Sequence, residues 1–487
     1  MYIFSFRKVF IMENEHVMEK RYGLATAIAM VVGIVIGSGV FIKGGKLLAK
    51  TGGNLKLGIL AILLCGVVCI ICSLVFAILS QKYNKVNGLV DYAEVALGSK
   101  YAYYMGWFMT TIYTPSLAAI LAFFSGLMFC QAAGIRTIDL ANGCFSAEAF
   151  GVGGGFLIMG FALNALSPKL AGKLQVSMTV IKLIPLVLVG VVGTIIGLSN
   201  GSSAAVLDFV NTAEYVPVEG GFFAAVVGFA FSFEGWILAT SINSELKDPQ
   251  KTLPKALIGG SLFVVAIYVL YIFSMSSVGS VSTILSTWPL GQSLTGIAAR
   301  PIFGPVISKI FEICIVISCL GTMNGLIMAN CRSQYSIASR GMGPMASWFA
   351  DIDKQNDFPI KSALFGMIFA GFWYAWDVVM YWNGQDFMGT THQLRFFAFE
   401  PDEVCIVNLY LMYIPMFIAI MIKCKELGVF KRIVMPILGI ACCIFMVVCC
   451  YLGWGGMACL GYVCFFLAFM IVGRIFMHPE NAIRELE

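Results

Sequence analysis

Long apolar runs recur along the whole chain, and this pattern limits the fold more than any other feature of the sequence. A helix of about 20 apolar residues spans the hydrocarbon core of a bilayer. Of the 487 residues, 59% are hydrophobic and only 12% are charged, whereas a soluble domain has about 25% charged residues. The sequence therefore predicts an all-α polytopic protein whose surroundings are the lipid bilayer. It excludes a disordered chain, a coiled coil and an ordinary soluble enzyme.

Twelve of these runs are long enough to be transmembrane helices. They are residues 23–43, 57–80, 101–127, 152–168, 174–198, 219–243, 255–278, 303–331, 359–383, 403–423, 430–452 and 456–476. The domain organisation that we expect is a cytoplasmic segment over 1–22, two five-span repeats over 23–198 and 219–423, two final spans over 430–476, and a cytoplasmic tail over 477–487.

The distribution of Lys and Arg predicts the orientation. With the N-terminus inside, the inner segments hold 22 and the outer segments 7 of the 31 Lys and Arg residues. Because cytoplasmic loops collect these residues, both termini are predicted to be cytoplasmic, in a multi-pass protein of the plasma membrane. Four lysines that follow the first span run against this rule: Lys43, Lys46, Lys50 and Lys56. The net charge of +5 does not indicate nucleic-acid binding.

Several function classes lack their characteristic residues. The three histidines lie outside the predicted spans, so we expect neither a metal nor another cofactor. The cysteines lie mostly in apolar runs, where a thiol behaves as a small hydrophobic group, so no disulfide framework is expected. An intramembrane enzyme needs paired acids, a Ser–His pair or a metal cluster in its spans. A channel needs a filter or charged rings. The sequence shows neither the residues of an intramembrane enzyme nor those of a channel, and it predicts a protein that is not an enzyme.

Two predicted spans carry glycine and serine at mid-span, over residues 33–41 and 228–236. They lie five spans apart, which is typical of an inverted repeat with paired broken helices. Unwinding frees backbone N–H and C=O groups that need partners in lipid. A half-helix that starts at a break offers amides to a carboxylate, and one that ends at a break offers carbonyls to an ammonium group. Two facing breaks therefore match a zwitterionic amino acid. The alternative is close helix packing through small residues.

The residues at these breaks resemble the amino acid–polyamine–organocation (APC) transporter superfamily. The matching segments are residues 36–41, 231–236 and 243–254, together with Asn324-Gly325, Arg332 and Arg340-Gly341. The resemblance covers spans 1 to 10 and is nearest to the L-amino-acid transporter branch and its bacterial relatives. It implies a five-plus-five inverted-repeat (LeuT-like) fold and sodium-independent transport of L-amino acids by alternating access, through exchange or proton coupling. A polyamine or other organic-cation permease on the same fold is the alternative.

The resemblance also implies a substrate site. The residues at the first-span break would hold the substrate carboxylate through their amides: Ile36, Gly37, Ser38 and Gly39. The sixth-span residues would hold the amino group through their carbonyls: Phe231, Ser232 and Glu234. Phe231 would also close over the substrate as an aromatic gate. Thr114, in the third span beside a helix-kinking proline, and Asn408 are candidates for the side-chain pocket. The apolar lining favours neutral amino acids.

Lys182 lies in an apolar run of the fifth span. A lysine there is costly and normally functional, although its ammonium group can also reach the interface along the membrane normal. By resemblance, Lys182 occupies the place of sodium in related transporters and bridges the first span to the eighth, near Ser318. Both a static and a titrating role stay open. Glu245, at the cytoplasmic end of the sixth span, is predicted to be a structural helix-end residue or a gating partner.

Four remaining groups have simpler interpretations. Glu234 either attracts a cationic side chain or pairs with a polar residue of another span. Lys309 and Glu312 are spaced to form an ion pair on one helix face. Asp377 lies among aromatic residues and is interpreted as an anchor at the outer membrane interface. Cys144, in an outer loop, is a candidate link to an accessory single-span subunit such as some animal relatives use, but no further motif supports it.

Overall fold

The computed structural model describes residues 23–82, 88–139, 144–239, 246–287, 294–353, 358–382 and 400–477. Within these ranges, nine helices are long and apolar enough to cross a membrane, or up to eleven if each of two bent pairs counts as one span. The prediction of an all-α polytopic membrane protein is thereby confirmed. Helices lie in each of the twelve predicted segments, while the span count of twelve and the inverted repeat remain predictions.

The helices, in chain order, are α1 (Leu24–Val35), α2 (Gly39–Lys50), α3 (Leu55–Lys82), α4 (Leu89–Leu97), α5 (Ser99–Phe108), α6 (Thr114–Ala133), α7 (Ala147–Leu166), α8 (Pro168–Ile181), α9 (Leu183–Ser199), α10 (Ser202–Asp208), α11 (Gly221–Ala230), α12 (Trp236–Ala239), α13 (Pro249–Gly279), α14 (Val281–Thr287), α15 (Leu294–Ala338), α16 (Ala346–Phe349), α17 (Ile360–Trp382), α18 (Pro401–Lys423), α19 (Met435–Trp454) and α20 (Gly456–Phe476). A two-residue ladder pairs β1 (Ile138–Asp139) with β2 (Cys144–Phe145) in antiparallel register.

The first span is broken. Helices α1 and α2 meet at an angle of 57°, and Ile36 leaves the helical region at ψ 102°. Together they extend from Leu24 to Lys50, so the predicted end at residue 43 is too early. Lys43 and Lys46 therefore lie inside a buried half-helix and not in an outer loop.

The sixth span is also interrupted. Helix α11 continues into a 3₁₀ turn, Phe231–Phe233. Glu234 then takes an extended backbone with ψ 156°, and Gly235 has φ +97°. Only glycine adopts that φ without steric cost. The local sequence thus accounts for a break at the predicted position.

Two further helices depart from regular geometry next to the breaks. A π-helical turn, Met109–Tyr113, joins α5 to α6. Because Pro115 has no N–H, the carbonyl of Thr111 loses its helical partner, and the indole of Trp373 on α17 donates to that carbonyl at 2.8 Å. In the fifth span, Lys182 alone separates α8 from α9.

The longest helices form a buried frame around the breaks. Helix α15, which is kinked at Gly304 with φ +78°, packs on α6 and α17, while α13 packs on α1, α3 and α9. Small residues allow close approach, since a Cβ atom at Gly126 of α6 would lie 2.4 Å from the Ala149 carbonyl oxygen of α7. The broken first span is held between the two groups of helices.

Candidate functional site

The two breaks contact each other at the centre of the protein. A Cβ atom at Gly39 would lie 2.5 Å from the Cα atom of Ser232, and one at Gly235 would lie 3.2 Å from the carbonyl oxygen of Ile34. The backbone that approaches Gly39 belongs to the sixth-span break. Close packing through small residues is thus observed at the breaks, while a substrate site there stays a prediction.

Side chains of α13 and α15 hold the breaks in place. The N–H of Ser38 donates to the Thr322 hydroxyl at 3.2 Å, which itself donates to the Ser318 carbonyl at 2.9 Å. The Tyr268 hydroxyl donates to the Ser232 carbonyl at 2.8 Å and lies 3.5 Å from that of Val35. Tyr268 thereby joins the two breaks.

Three serine hydroxyls are buried around this contact. Those of Ser232 and Ser318 have no hydrogen-bond partner among the described residues, and the neighbour of the Ser38 hydroxyl is the thiol of Cys319. Buried polar groups in native structures are normally paired. Two unsatisfied hydroxyls next to two helix breaks mark a place where a polar ligand would gain hydrogen bonds.

Lys182 contacts the first span directly. Its ammonium group is buried and donates to the Gly33 carbonyl of α1 at 3.0 Å. Gly33 lies in the last turn before the break, where carbonyls lack helical partners. A charged donor at that position stabilises the end of α1. Within the part of the chain that the structure describes, Ser318 makes no hydrogen bond through its hydroxyl, so the span 8 half of the predicted bridge stays a prediction.

A group of buried charged residues lies along α2 beyond its first turn, and we call it the charge cluster. Its members are Lys43, Lys46, Asp377, Glu400, Asp402 and Glu403. The Nζ atom of Lys43 lies 2.7 Å from an oxygen of Asp402 and 3.0 Å from one of Glu400. Lys46 pairs with Glu400 and Glu403. The lysines that run against the orientation rule thus include two that pair with acids at the start of α18.

The interpretation of Asp377 as an anchor at the outer membrane interface is corrected by its burial. Its side chain is only 1% exposed, and the charges that act on it are those of Asp402, Glu400 and Lys43. It lies within the protein because α17 turns this residue toward α2 and the start of α18, away from lipid. The aromatic residues around it on α17 suggested an interface that the fold does not provide.

Phe231 lies between the breaks and the charge cluster. It is buried at the end of α11, and the Lys43 ammonium group lies 5.4 Å from its ring centroid. A cation over an aromatic face is attracted by the ring. On the same side of α11, a Cβ atom at Gly228 would lie 3.1 Å from Glu403 Oε1. The predicted gate residue therefore lies against an ammonium group of the charge cluster.

Comparisons with known proteins identify the family of this chain. The amino acid permease family matches residues 22–475. The chain belongs to this family. It is 28% identical to the serine/threonine exchanger SteT of Bacillus subtilis over 442 residues, which cover 87% of this chain and 89% of that protein.

Two human relatives are also similar to this permease. The b(0,+)-type amino acid transporter 1 is 25% identical over 66% of this chain and 64% of that protein. The large neutral amino acids transporter small subunit 2 is 25% identical over 72% of this chain and 63% of that protein. The predicted superfamily, its L-amino-acid transporter branch and the absence of an enzyme activity are thereby confirmed, and the function is amino acid transport.

The remaining predicted site residues of the permease differ in their burial and in their hydrogen bonds. Glu234 is partly buried and accepts a hydrogen bond from the Tyr113 hydroxyl at 2.5 Å, which is the second of its two interpretations. Thr114 accepts from Asn330 at 2.8 Å and donates to the Met109 carbonyl, so its hydroxyl serves helix packing. Asn408 is buried, with an amide nitrogen that lacks a partner among the described residues. Glu245 lies outside the described residues.

Other predictions concern the periphery. Lys309 and Glu312 pair at 3.6 Å, as predicted. Arg340, in the family-like segment after α15, pairs with Asp91 and Glu94 of α4. The backbone of Cys144 lies in β2, and nothing in the described residues bears on an accessory subunit. Sequence reasoning missed Tyr268, Thr322 and the acids of α18.

Proposed function

We propose that this permease is a sodium-independent secondary transporter of L-amino acids in the plasma membrane, working by alternating access. The observation that carries the proposal is the contact of two broken helices with unsatisfied hydroxyls beside them. Amides and carbonyls at such breaks offer complementary partners for the two charged ends of an amino acid. Residues 36–39 and 231–233 carry no charged side chain, which suits a ligand that brings both charges itself.

In this proposal the substrate carboxylate binds at the backbone of residues 36–39, and the ammonium group binds at the carbonyls of Phe231, Ser232 and Glu234. Ser232 and Ser318 supply hydroxyl partners. Phe231 closes the side that faces the charge cluster. Because Gly39 packs directly on Ser232, binding at this contact changes the separation of the first and sixth spans. That change provides a physical link between substrate binding and helix movement.

Lys182 supports sodium independence. Its ammonium group gives the end of α1 a fixed positive charge at 3.0 Å from the Gly33 carbonyl. A sodium ion bound at the same place would supply the same attraction for carbonyl oxygens. We propose that Lys182 keeps the first-span break in its binding geometry in the absence of sodium.

The relatives favour exchange as the coupling mode. The name of the Bacillus subtilis relative describes a serine/threonine exchanger, which supports exchange. The residues Ile36, Phe231 and Phe233 at the breaks of this chain are apolar and buried, which supports neutral substrates. We therefore propose exchange of neutral amino acids, with proton coupling as the second mode. The name of one human relative describes a small subunit, so an accessory single-span subunit is a further possibility to test.

The experiment is uptake of radiolabelled amino acids into proteoliposomes. Internal amino acid, external sodium and external pH are varied independently. Exchange predicts uptake that requires internal amino acid and ignores sodium. Uptake driven by an inward proton gradient without internal amino acid supports proton coupling. A sodium requirement contradicts the role of Lys182. Uptake of polyamines, and of no amino acid, by the folded protein replaces this proposal with the organic-cation alternative.

A further inference from the structure

The charge cluster contains more acids than bases. Among the described residues, four carboxyl groups (Asp377, Glu400, Asp402 and Glu403) face two ammonium groups (Lys43 and Lys46). Including Lys50 still leaves more carboxyl groups than ammonium groups. The ammonium group of Lys50 lies 4.4 Å from the ring centroid of Trp454. The cluster as a set of ionised groups therefore has a net negative charge inside a membrane protein.

Asp377 is the member without a partner. Neither of its carboxyl oxygens has a hydrogen-bond partner among the described residues, and the side chain is buried. One oxygen of Glu403 and both oxygens of Asp402 likewise lack a hydrogen bond among the described residues, but Asp402 forms an ion pair with Lys43 and Glu403 forms one with Lys46. By contrast, Glu400 is bound by both lysines. Among the described residues, Asp377 is thus the acid of the cluster for which no ion pair forms, whereas Glu400, Asp402 and Glu403 each pair with a lysine.

The groups that face Asp377 come from three helices and the residue before α18. Lys43 belongs to α2, Asp402 to α18, and Glu400 directly precedes α18. From its own helix, α17, the phenols of Tyr374 and Tyr381 interact with it. Helices α6, α7 and α15 also pack on α17, and the charges acting on Asp377 include none from these three helices in the described ranges. Two of its three charged neighbours are therefore also acids.

A buried carboxylate without a partner is costly, and it is neutralised most simply by a proton. Metal binding fits less well, because the described residues contain no group of three or more His, Cys, Asp and Glu side chains arranged to hold a metal ion. A proton needs no cavity. A neutral carboxyl group also has an O–H donor, which the unsatisfied oxygens of neighbouring acids can accept.

We propose that the charge cluster is a proton-binding site and that Asp377 carries the proton when α2 is packed against α18. The proton belongs to this closed arrangement. When α2 and α18 separate, water reaches the carboxyl groups and the proton is released, so by linkage protons favour closure. The inference goes beyond the proposed exchange by placing a proton site in the contact between α2 and α18, away from Lys182. The binding of the proton itself does not depend on the identity of the substrate.

Infrared difference spectroscopy of the reconstituted full-length protein, without amino acid, tests the site directly. We expect a carbonyl stretch from a protonated carboxyl group in the wild type at neutral pH, and its loss in Asp377→Asn. The control is Glu312→Gln, which removes a carboxyl group on α15 that pairs with Lys309 and lies outside the charge cluster. An unchanged band in Asp377→Asn at every pH overturns the proposal.

A second measurement on the wild type covers the case in which Asp377→Asn does not fold. Hydrogen exchange of the backbone of Gly39–Lys50 is followed against pH and corrected for the intrinsic exchange rate. We expect stronger protection of this half-helix as the pH falls, because proton binding favours closure. Protection that is independent of pH contradicts the proposal. Both measurements omit substrate, so a failure of amino acid uptake leaves their outcome interpretable.

Discussion

Helix α2 differs in chemistry between its first turn at Gly39, which we call the neutral end, and the turns around Lys43 and Lys46, which we call the charged end. Its first residue, Gly39, packs backbone to backbone on Ser232 in a neutral contact held by single hydrogen bonds. One to two turns later, Lys43 and Lys46 are buried among four acids. The neutral end suits recognition of a zwitterion, because it adds no net charge. The charged end suits the closing of α2 against α18. Its ion pairs form when the two helices are in contact, and separating the helices exposes the charged groups to water. One half-helix therefore connects a binding contact to a closing contact.

The largest effect should come from unpairing the charged end. Lys43→Ala leaves Asp402 and Glu400 without one of their cations, and breaking a buried ion pair costs about 3–5 kcal/mol. We expect the free energy of unfolding to fall by that order, measured by denaturation of the purified protein in lipid nanodiscs. Adding Asp402→Asn should restore part of the loss, because it removes the unpaired charge.

The exposed ion pair of α15 is the matched control for Lys43→Ala. Lys309 pairs with Glu312 but is 48% exposed, and exposed pairs contribute about 0–1 kcal/mol. Lys309→Ala should therefore change stability little. If the two alanine variants have equal stability, the charge cluster does not hold α2 against α18.

The neutral end is tested with Gly39→Ala. The new Cβ atom would lie 2.5 Å from Ser232 Cα, a backbone atom that a side-chain rotation does not move. Overpacking of this kind costs about 1–3 kcal/mol. We expect uptake to fall by roughly tenfold or more, since a factor of ten corresponds to about 1.4 kcal/mol.

Gly155→Ala is the control for Gly39→Ala, because nothing lies within 4 Å of a Cβ atom there. It should transport as the wild type does. Normal uptake by Gly39→Ala would show that the contact between the breaks does not limit transport.

Lys182→Ala should act on transport more than on folding. It removes a charged hydrogen bond to Gly33, worth about 1.5–3 kcal/mol, but also removes a buried charge that is costly to keep in a membrane. We expect normal expression and uptake reduced about tenfold or more. Lys169→Ala, on the exposed side of α8, is the control. Wild-type uptake by Lys182→Ala at every pH would remove Lys182 from the mechanism.

The smallest effect should come from Tyr268→Phe. It deletes one neutral hydrogen bond to Ser232, worth about 0.5–1.5 kcal/mol, which corresponds to roughly a two- to tenfold loss of uptake. Tyr101→Phe deletes a similar bond, to the Met412 carbonyl at 2.6 Å, away from the breaks. An equal loss of uptake in both variants would mean that Tyr268 has no special part in joining the breaks.

The neutral end was predictable from sequence because its signals are local. Glycine and serine at mid-span indicate where a helix can break, and Gly235 takes a φ that glycine alone adopts easily. Lys182 was visible for the same reason, as one charge in an apolar run. Tyr268 and Thr322 were not, because an aromatic residue or a threonine in a buried helix has an ordinary packing role.

Only the lysines of the charged end gave a signal in the sequence, and their acidic partners gave none. The lysines after the first break conflicted with the orientation rule, which is a signal, but their partners lie 354 and 357 positions away in the chain. Acids at the start of a helix such as α18 also have a local explanation, since they stabilise its N-terminus. Asp377 was misinterpreted because its neighbours in sequence are aromatic, whereas its neighbours in space are charged.

Competition by blocked substrates tests the central claim most directly. Uptake of the labelled amino acid is measured against the unlabelled amino acid, its methyl ester and its N-acetyl form. If the breaks bind both charged ends, each blocked form should compete at least about tenfold less well, because it loses a charged hydrogen bond of about 1.5–3 kcal/mol. A methyl ester or an N-acetyl form that competes as well as the free amino acid would contradict binding at the two breaks.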